Sequence, residues 1–258
     1  MNNNYKGTVF FDLDGTLLNA HSKMDDDVSQ AIHRLRDNGY LPVISTGRAP
    51  SEILQATEPT GIDSYVTFNG ALVKSAGRTI YKKTIAPETV AKVIEKAKEY
   101  NDIITMHSID KTRTTRSDPF MTEFYNLVKI PVPTVDPKFY EKEELPMILV
   151  VTPDGPERYS EAFDNLTFYK TGPYAIDTIS KGVSKMNGIK HLLSGLELDQ
   201  KPVYAFGDGP NDLSMIKEIK HSVAMGNGID SVKEAAEYVT TANIDNGIIN
   251  GLKHYNLI

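Results

Sequence analysis

The chain has 258 residues, 40% of them hydrophobic and 24% charged, with a formal net charge of −6. That is enough apolar material for a folded α/β protein, as one large unit or as a main domain carrying a smaller one, and interspersed charge of this sign argues against nucleic acid as a partner. There is no cysteine, which excludes disulfides, thiolate nucleophiles, iron–sulfur clusters and Cys-ligated zinc, so any metal must sit on oxygen or imidazole ligands.

The first six residues reach an apolar strand too quickly for a signal sequence, and no apolar run approaches the roughly 20 residues that span a bilayer. A cytoplasmic protein with no membrane partner is expected. Thr8-Val-Phe-Phe-Asp-Leu-Asp-Gly-Thr16 then reads as a buried parallel strand that ends on two carboxylates, Asp12 and Asp14, before Gly15 turns the chain out. Val28, Ile32 and Leu35 predict a helix over 25–38 that Gly39 ends. Leu41 to Ser45 is the second strand, Ser51 to Thr57 a helix, and Ser64 to Phe68 a third strand running into Asn69-Gly70. This βαβαβ start implies a parallel sheet covered by helices.

A hairpin is expected across Ser75-Ala-Gly77, then an amphipathic helix over 87–100. From there to Tyr174 the chain is richer in β-branched, aromatic and Pro residues, with strands near Ile104–His107, Met147–Val151 and Leu166–Lys170. Residues 84–180 therefore read as an inserted α+β domain, dividing the main domain into 1–83 and 181–258. The α/β alternation resumes with a helix from Val183 and the strand Val203-Tyr-Ala-Phe206, which runs into Gly207-Asp-Gly-Pro-Asn-Asp212. A helix over 213–218, a strand from Ser222, a helix over 231–236 and a short strand at Tyr238 complete it.

Asp12/Asp14, Thr46, Asp208/Asp212 and one of Lys181 and Lys185 lie at strand exits or on a helix feeding the sheet. In an open α/β sheet such positions converge on one crevice. A carboxylate can attack an electrophile while a second protonates the departing oxygen, although Asp and Gly are also common turn residues. Thr46-Gly47-Arg48 offers a hydroxyl, backbone N–H groups and a guanidinium to phosphoryl oxygens, or caps the following helix. Several carboxylates brought together need a cation among them, and Mg²⁺ suits a few carboxylates plus phosphate and water.

The order of these motifs resembles that of the haloacid dehalogenase-like hydrolases, specifically the Cof-type phosphatases with a C2B cap. Asp12-Leu-Asp-Gly-Thr16 matches the family's first motif, Thr46 the second, Gly182-Val-Ser-Lys185 the third and Gly207-Asp-Gly-Pro-Asn-Asp212 the fourth. Asn69-Gly70 and Ala224-Met-Gly-Asn227 are also family-like, and the third motif selects Lys185 over Lys181. The resemblance implies a Rossmann-like core with an inserted C2B cap that roofs the crevice.

It also implies the roles. Asp12 would form an aspartyl-phosphate, and Asp14 would act as acid and then base. Thr46 and Lys185 would hold the phosphoryl group, with Gly47, Arg48, Asn69 and Asn211 beside it. Asp12, the Asp14 carbonyl, Asp208 and Asp212 would serve Mg²⁺. His107, Arg113, Arg116, Thr171 and Tyr174 are candidates to face substrate from the cap. The expected activity is phosphatase action on a small phosphorylated metabolite, a phosphosugar first. A phosphomutase or a metabolite-sensing protein is the alternative, and a monomer and a homodimer are equally open.

Overall fold

A computed structural model describes residues 4–128 and 130–258, so the first three residues of the lead into the first strand lie outside the described residues. The chain divides into two compact units, residues 1–81 with 184–258, and residues 82–183.

The first unit opens with β1 (Gly7–Phe11), buried along its whole length, and α1 (Asp26–Asp37). Val28, Ala31, Ile32 and Leu35 form the buried stripe of α1. Asp26 and Asp27 in its first turn and Arg34 and Arg36 in its last complement the helix dipole. β2 (Tyr40–Ser45), α2 (Pro50–Thr57) and β3 (Ser64–Thr67) follow. β3 is one residue shorter than expected because Phe68 and Asn69 turn left-handed, with φ of 51° and 53°. The hairpin pairs β4 (Leu72–Ser75) with β5 (Arg78–Lys82), turning on Ala76-Gly77 alone.

The second unit comprises α3 (Pro87–Glu99), β6 (Ile103–His107), β7 (Thr112–Thr114), α4 (Pro119–Leu127), β8 (Thr134–Val135), β9 (Met147–Val151), α5 (Glu157–Ser160), β10 (Leu166–Gly172) and β11 (Ala175–Ser180). Its sheet has the order β10-β11-β9-β6-β7-β8 and is antiparallel except between β7 and β8. Val90, Val93 and Ala97 of α3 pack with Ile104, Met106, Ile148, Val150 and Ile176 on one face. Met121, Phe124 and Tyr125 of α4 pack with Ile103, Leu149 and Val151 on the other. At the edge of this core Asp102 accepts from Tyr159 Oη at 2.5 Å and from an Arg158 guanidinium nitrogen at 2.6 Å.

The first unit resumes with α6 (Lys185–Gly195), two residues later than expected. Ser184 is its N-cap, accepting from Asn187 N at 3.1 Å, and a Ser oxygen there satisfies a free helix-end donor. β12 (Val203–Gly207), α7 (Leu213–Glu218), β13 (His221–Ala224), α8 (Asp230–Ala235), β14 (Tyr238–Val239) and α9 (Gly247–His254) complete it. Its eight strands run β14-β13-β12-β1-β2-β3-β4-β5, parallel from β14 to β3 and antiparallel from β3 to β4. β1 lies between β2 and β12, with Phe11 opposite Ile44 and Phe206. This register brings the carboxyl ends of the central strands level, where the polar motifs begin. Among the described residues no helix is long and apolar enough to cross a membrane.

Candidate active site

Asp12 is the first residue past β1, and its N–H continues the ladder to Phe206 O at 3.0 Å. The apolar strand fixes the backbone, so the carboxylate stands at the sheet edge yet is only 6% exposed. Asp208 leaves β12 beside it, and Asp212 follows on the short 3₁₀ turn Pro210–Asp212. Ligand oxygens of Asp12, Asp208 and Asp212 lie within 4.8 Å of one another.

Lys185 occupies the first turn of α6 and is fully buried. Its Nζ lies 2.5 Å from Asp12 Oδ1 and 2.6 Å from Asp212 Oδ1. Burial alone would lower the Lys185 ammonium, but the two carboxylates outweigh it and raise it above the ordinary lysine range. Burial likewise drives the Asp12 carboxyl well above the usual range, with Lys185 opposing and Asp212, Asp208 and Asp14 adding to the rise. Asp208 is pushed by burial up to about 6, against the hydrogen bond from Thr16.

The donor set fits a hard divalent cation. Both oxygens of Asp212 are engaged, Oδ1 by Lys185 and Oδ2 by the N–H groups of Asp208 and Gly209, each at 2.9 Å. Asp208 Oδ1 accepts from Thr16 Oγ1 at 2.7 Å. Among the described residues Asp12 Oδ2 and Asp208 Oδ2 accept no hydrogen bond, which leaves these two oxygens available to a cation. Asp212, the third member of the group, also holds the lysine and the turn that presents Asp208.

Asp14 stands outside the three-carboxylate group. Arg48 grips it with a fork, Nε to Oδ2 at 2.8 Å and a terminal nitrogen to Oδ1 at 2.5 Å. Thr46 is buried after β2, and its Oγ1 accepts the Arg48 N–H at 3.2 Å, leaving the hydroxyl proton to be donated. Gly47 lies in the same turn, which is held from behind. Thr46 O accepts from Asn69 N at 3.0 Å and Arg48 O from Phe68 N at 3.2 Å.

Asn69 is buried, and its Oδ1 accepts from Asn211 Nδ2 at 2.8 Å, joining the second and fourth motifs. Gly70 has φ +102°, and a Cβ there would lie 2.0 Å from Ser184 O, so only glycine lets this turn meet the start of α6. Asp12, Lys185, Asp208 and Asp212 are thus joined by hydrogen bonds in one set, and Thr46, Asn69 and Asn211 in a second that meets the first where Asn211 precedes Asp212 in the chain. Thr16 and Asn227 were not singled out as site residues from sequence. Both sit in recognisable motifs, Thr16 in the first and Asn227 in Ala224-Met-Gly-Asn227, but the contact of Asn227, a hydrogen bond to Gly15 O at 2.8 Å, shows only in the fold.

Each candidate in the second unit has a neighbour within that unit. His107 Nδ1 lies 3.3 Å from Thr112 Oγ1. Arg113 pairs with Met106 in the sheet and lies over the Phe139 ring, on the face opposite His107. Arg116 donates to Asn101 O at 2.6 Å and pairs with Asp118. Thr171 donates to Asp177 at 3.3 Å, and Tyr174 packs edge-on against Phe120.

A family model described as haloacid dehalogenase-like hydrolase matches residues 9–252. YkrA of Bacillus subtilis is 30% identical over 251 residues, covering 97% of this chain and 98% of that protein. YitU of the same organism, a 5-amino-6-(5-phospho-D-ribitylamino)uracil phosphatase, is 29% identical over 266 residues, covering 96% of each. A solved sugar phosphatase of subclass IIB of the superfamily superposes with a TM-score of 0.87 at 25% identity, over 97% of this chain and 99% of that one. The four motifs, the sheet order and these matches agree, and the chain belongs to the haloacid dehalogenase-like hydrolases.

Proposed function

We propose that the chain is a Mg²⁺-dependent phosphatase of small organophosphates, sugar phosphates foremost, that works through an aspartyl-phosphate on Asp12. The observation that carries the reading is a buried carboxylate at the end of β1, charge-paired with Lys185 and grouped with Asp208 and Asp212. In the first step Asp12 attacks phosphorus as the bond to the leaving oxygen breaks, and Asp14 gives that oxygen a proton. In the second, Asp14 takes a proton from the water that attacks phosphorus, and inorganic phosphate leaves with Asp12 restored.

Thr46, the Gly47 N–H, Arg48 and Lys185 hold the phosphoryl oxygens, because phosphoryl transfer is catalysed mainly by alignment and charge stabilisation. Asn69 and Asn211 fix that cradle through their mutual hydrogen bond. Asp12, Asp208 and the Asp14 carbonyl would hold Mg²⁺, with Asp212 behind them, and the ion would neutralise phosphoryl charge.

Two relatives support the substrate class: one is named a sugar phosphatase and the other acts on a phosphorylated ribityl chain. Both names describe a phosphate ester on a polyhydroxylated carbon skeleton. The test is inorganic-phosphate release from sugar, polyol, nucleotide and cofactor phosphates, with Mg²⁺ or EDTA and with Asp12→Asn. Release that needs Mg²⁺ and disappears in the variant supports the reading. Transfer that appears only with a sugar bisphosphate activator replaces it with a mutase.

A further inference from the structure

The loop Gly226-Asn227-Gly228-Ile229, between β13 and α8, holds two of the site motifs at once. Asn227 Nδ2 donates to Gly15 O at 2.8 Å, one residue after Asp14, and Ile229 N donates to Asp208 O at 3.0 Å. Between these anchors the first and fourth motifs are pressed together. A Cβ built on Gly15 would lie 2.3 Å from Asp208 Oδ2, and Thr16 Oγ1 reaches Asp208 Oδ1 at 2.7 Å.

Asn227 is itself fixed. Its Oδ1 accepts from Asn243 N at 2.9 Å, and Asn243 Nδ2 donates to Leu18 O at 2.8 Å. The two asparagines thus bracket the turn from Gly15 to Leu18, which follows the first pair of carboxylates.

We propose that Asn227 is a positioning residue that sets the separation between the Asp12–Asp14 turn and Asp208. Carboxylates grouped around a cation site repel one another when the cation leaves, whereas a small hard cation demands its oxygens at one short distance. A strap across the two ligand-bearing loops limits that spreading. A primary amide suits the task because it donates and accepts from one planar group, and Asn227 uses one bond of each kind. Aspartate would keep the acceptor toward Asn243 and lose the donor toward Gly15. The Asn227 side chain is solvent-exposed, so its effect on the site is separable from global stability. The proposal rests on the metal-dependent reading of this site and adds a residue outside its four motifs.

The experiment uses the full chain as wild type, Asn227→Ala, Asn227→Asp and Asn243→Ala. Mg²⁺ is titrated calorimetrically into metal-free protein, thermal unfolding is followed in EDTA, and hydrolysis of p-nitrophenyl phosphate is measured. Both Asn227 variants are expected to bind Mg²⁺ about tenfold more weakly, as loss of an outer-shell partner does. Their kcat should fall comparably while KM at saturating Mg²⁺ is unchanged, and Tm in EDTA should stay within about 2 °C of wild type. Asn243→Ala should give a smaller weakening in the same direction.

Mg²⁺ affinity within twofold of wild type in both Asn227 variants overturns the proposal, whatever their Tm. A wild type that binds no Mg²⁺ overturns it as well. A wild type that binds Mg²⁺ but hydrolyses no phosphomonoester, with binding weakened in the variants, leaves the positioning role standing and removes the phosphatase reading.

Discussion

Lys185 and Asp212 form an ion pair that solvent does not reach, Nζ to Oδ1 at 2.6 Å with neither side chain exposed. The same ammonium serves Asp12, so one buried cation balances two carboxylates. Removing one partner of such a pair leaves uncompensated charge in the interior. Lys185→Met should destabilise the metal-free protein by about 3–5 kcal/mol and abolish turnover. Urea unfolding in EDTA measures the first effect and phosphate release the second. A variant of unchanged stability would contradict the ion pair.

In the proposed mechanism the position of Asp14, gripped by Arg48 outside the carboxylate group, separates proton transfer from metal binding. Asp14→Asn should keep Mg²⁺ affinity within twofold of wild type, because its backbone carbonyl is untouched. Turnover should fall by about 10²–10⁴-fold, the range that a positioned acid–base group supplies. Calorimetry beside steady-state kinetics checks the pair of outcomes, and a loss of Mg²⁺ affinity matching that of Asp208→Asn would contradict it.

The Asp208 carboxyl, raised by burial to about 6 from 3.8, fixes the sign of a pH effect. A carboxyl raised on folding stabilises the metal-free fold fully below its ordinary value, and that contribution is lost as pH rises through about 6. In the proposed reading Asp208 is a metal ligand and must be ionised to bind, so metal binding runs the other way. The apparent dissociation constant for Mg²⁺ should therefore rise about tenfold between pH 7 and pH 5. In EDTA, Asp208→Asn should gain stability over wild type as pH rises through the same window. Calorimetric titrations and melting curves across it decide both.

Gly70 meets the α6 N-terminus at a backbone carbonyl that cannot rotate away, and its φ is positive. Gly70→Ala should cost more than the 1–2 kcal/mol of left-handed strain alone, because Ser184 and with it Lys185 must move. The expected result is a lowered urea midpoint with turnover reduced further than Tm alone explains. A variant with wild-type kcat would show that the turn does not set Lys185.

The polar motifs were legible because each sits where an apolar run stops. Val9, Phe10 and Phe11 announce a buried strand, and Asp12 and Asp14 mark its exit; Tyr204 to Phe206 do the same for Asp208. Helices α1 and α3 were legible from their stripes. β11 was not, because Asp177 and Thr178 are buried in a sheet covered on both faces, which hides the alternation. α4 has a local signal of its own: Asp118 before Pro119 is an N-cap followed by proline, and Asp118 accepts from Met121 N at 2.9 Å. α9, with Ile248, Ile249 and Leu252 buried, was also unassigned. The pairing of Asn69 with Asn211, and the bracket formed by Asn227 and Asn243, depend on loops distant in sequence, and no local pattern encodes them.

The central place of β1 has a consequence for synthesis. Its partner on one side, β2, follows within a few dozen residues, whereas β12 comes almost at the end; Thr16 and Asp208, which mark the two strand exits, are 192 positions apart. At about 5–20 residues per second on the ribosome, β12 trails β1 by roughly 10–40 s. Through that interval the apolar strand Gly7–Phe11 borders an open ladder of the kind that invites pairing with other chains. Asp12 meanwhile waits without its lysine. The catalytic centre can therefore be completed only after the whole second unit and β12 have been made, and a nascent chain stopped before β12 lacks Asp208 and Asp212 altogether.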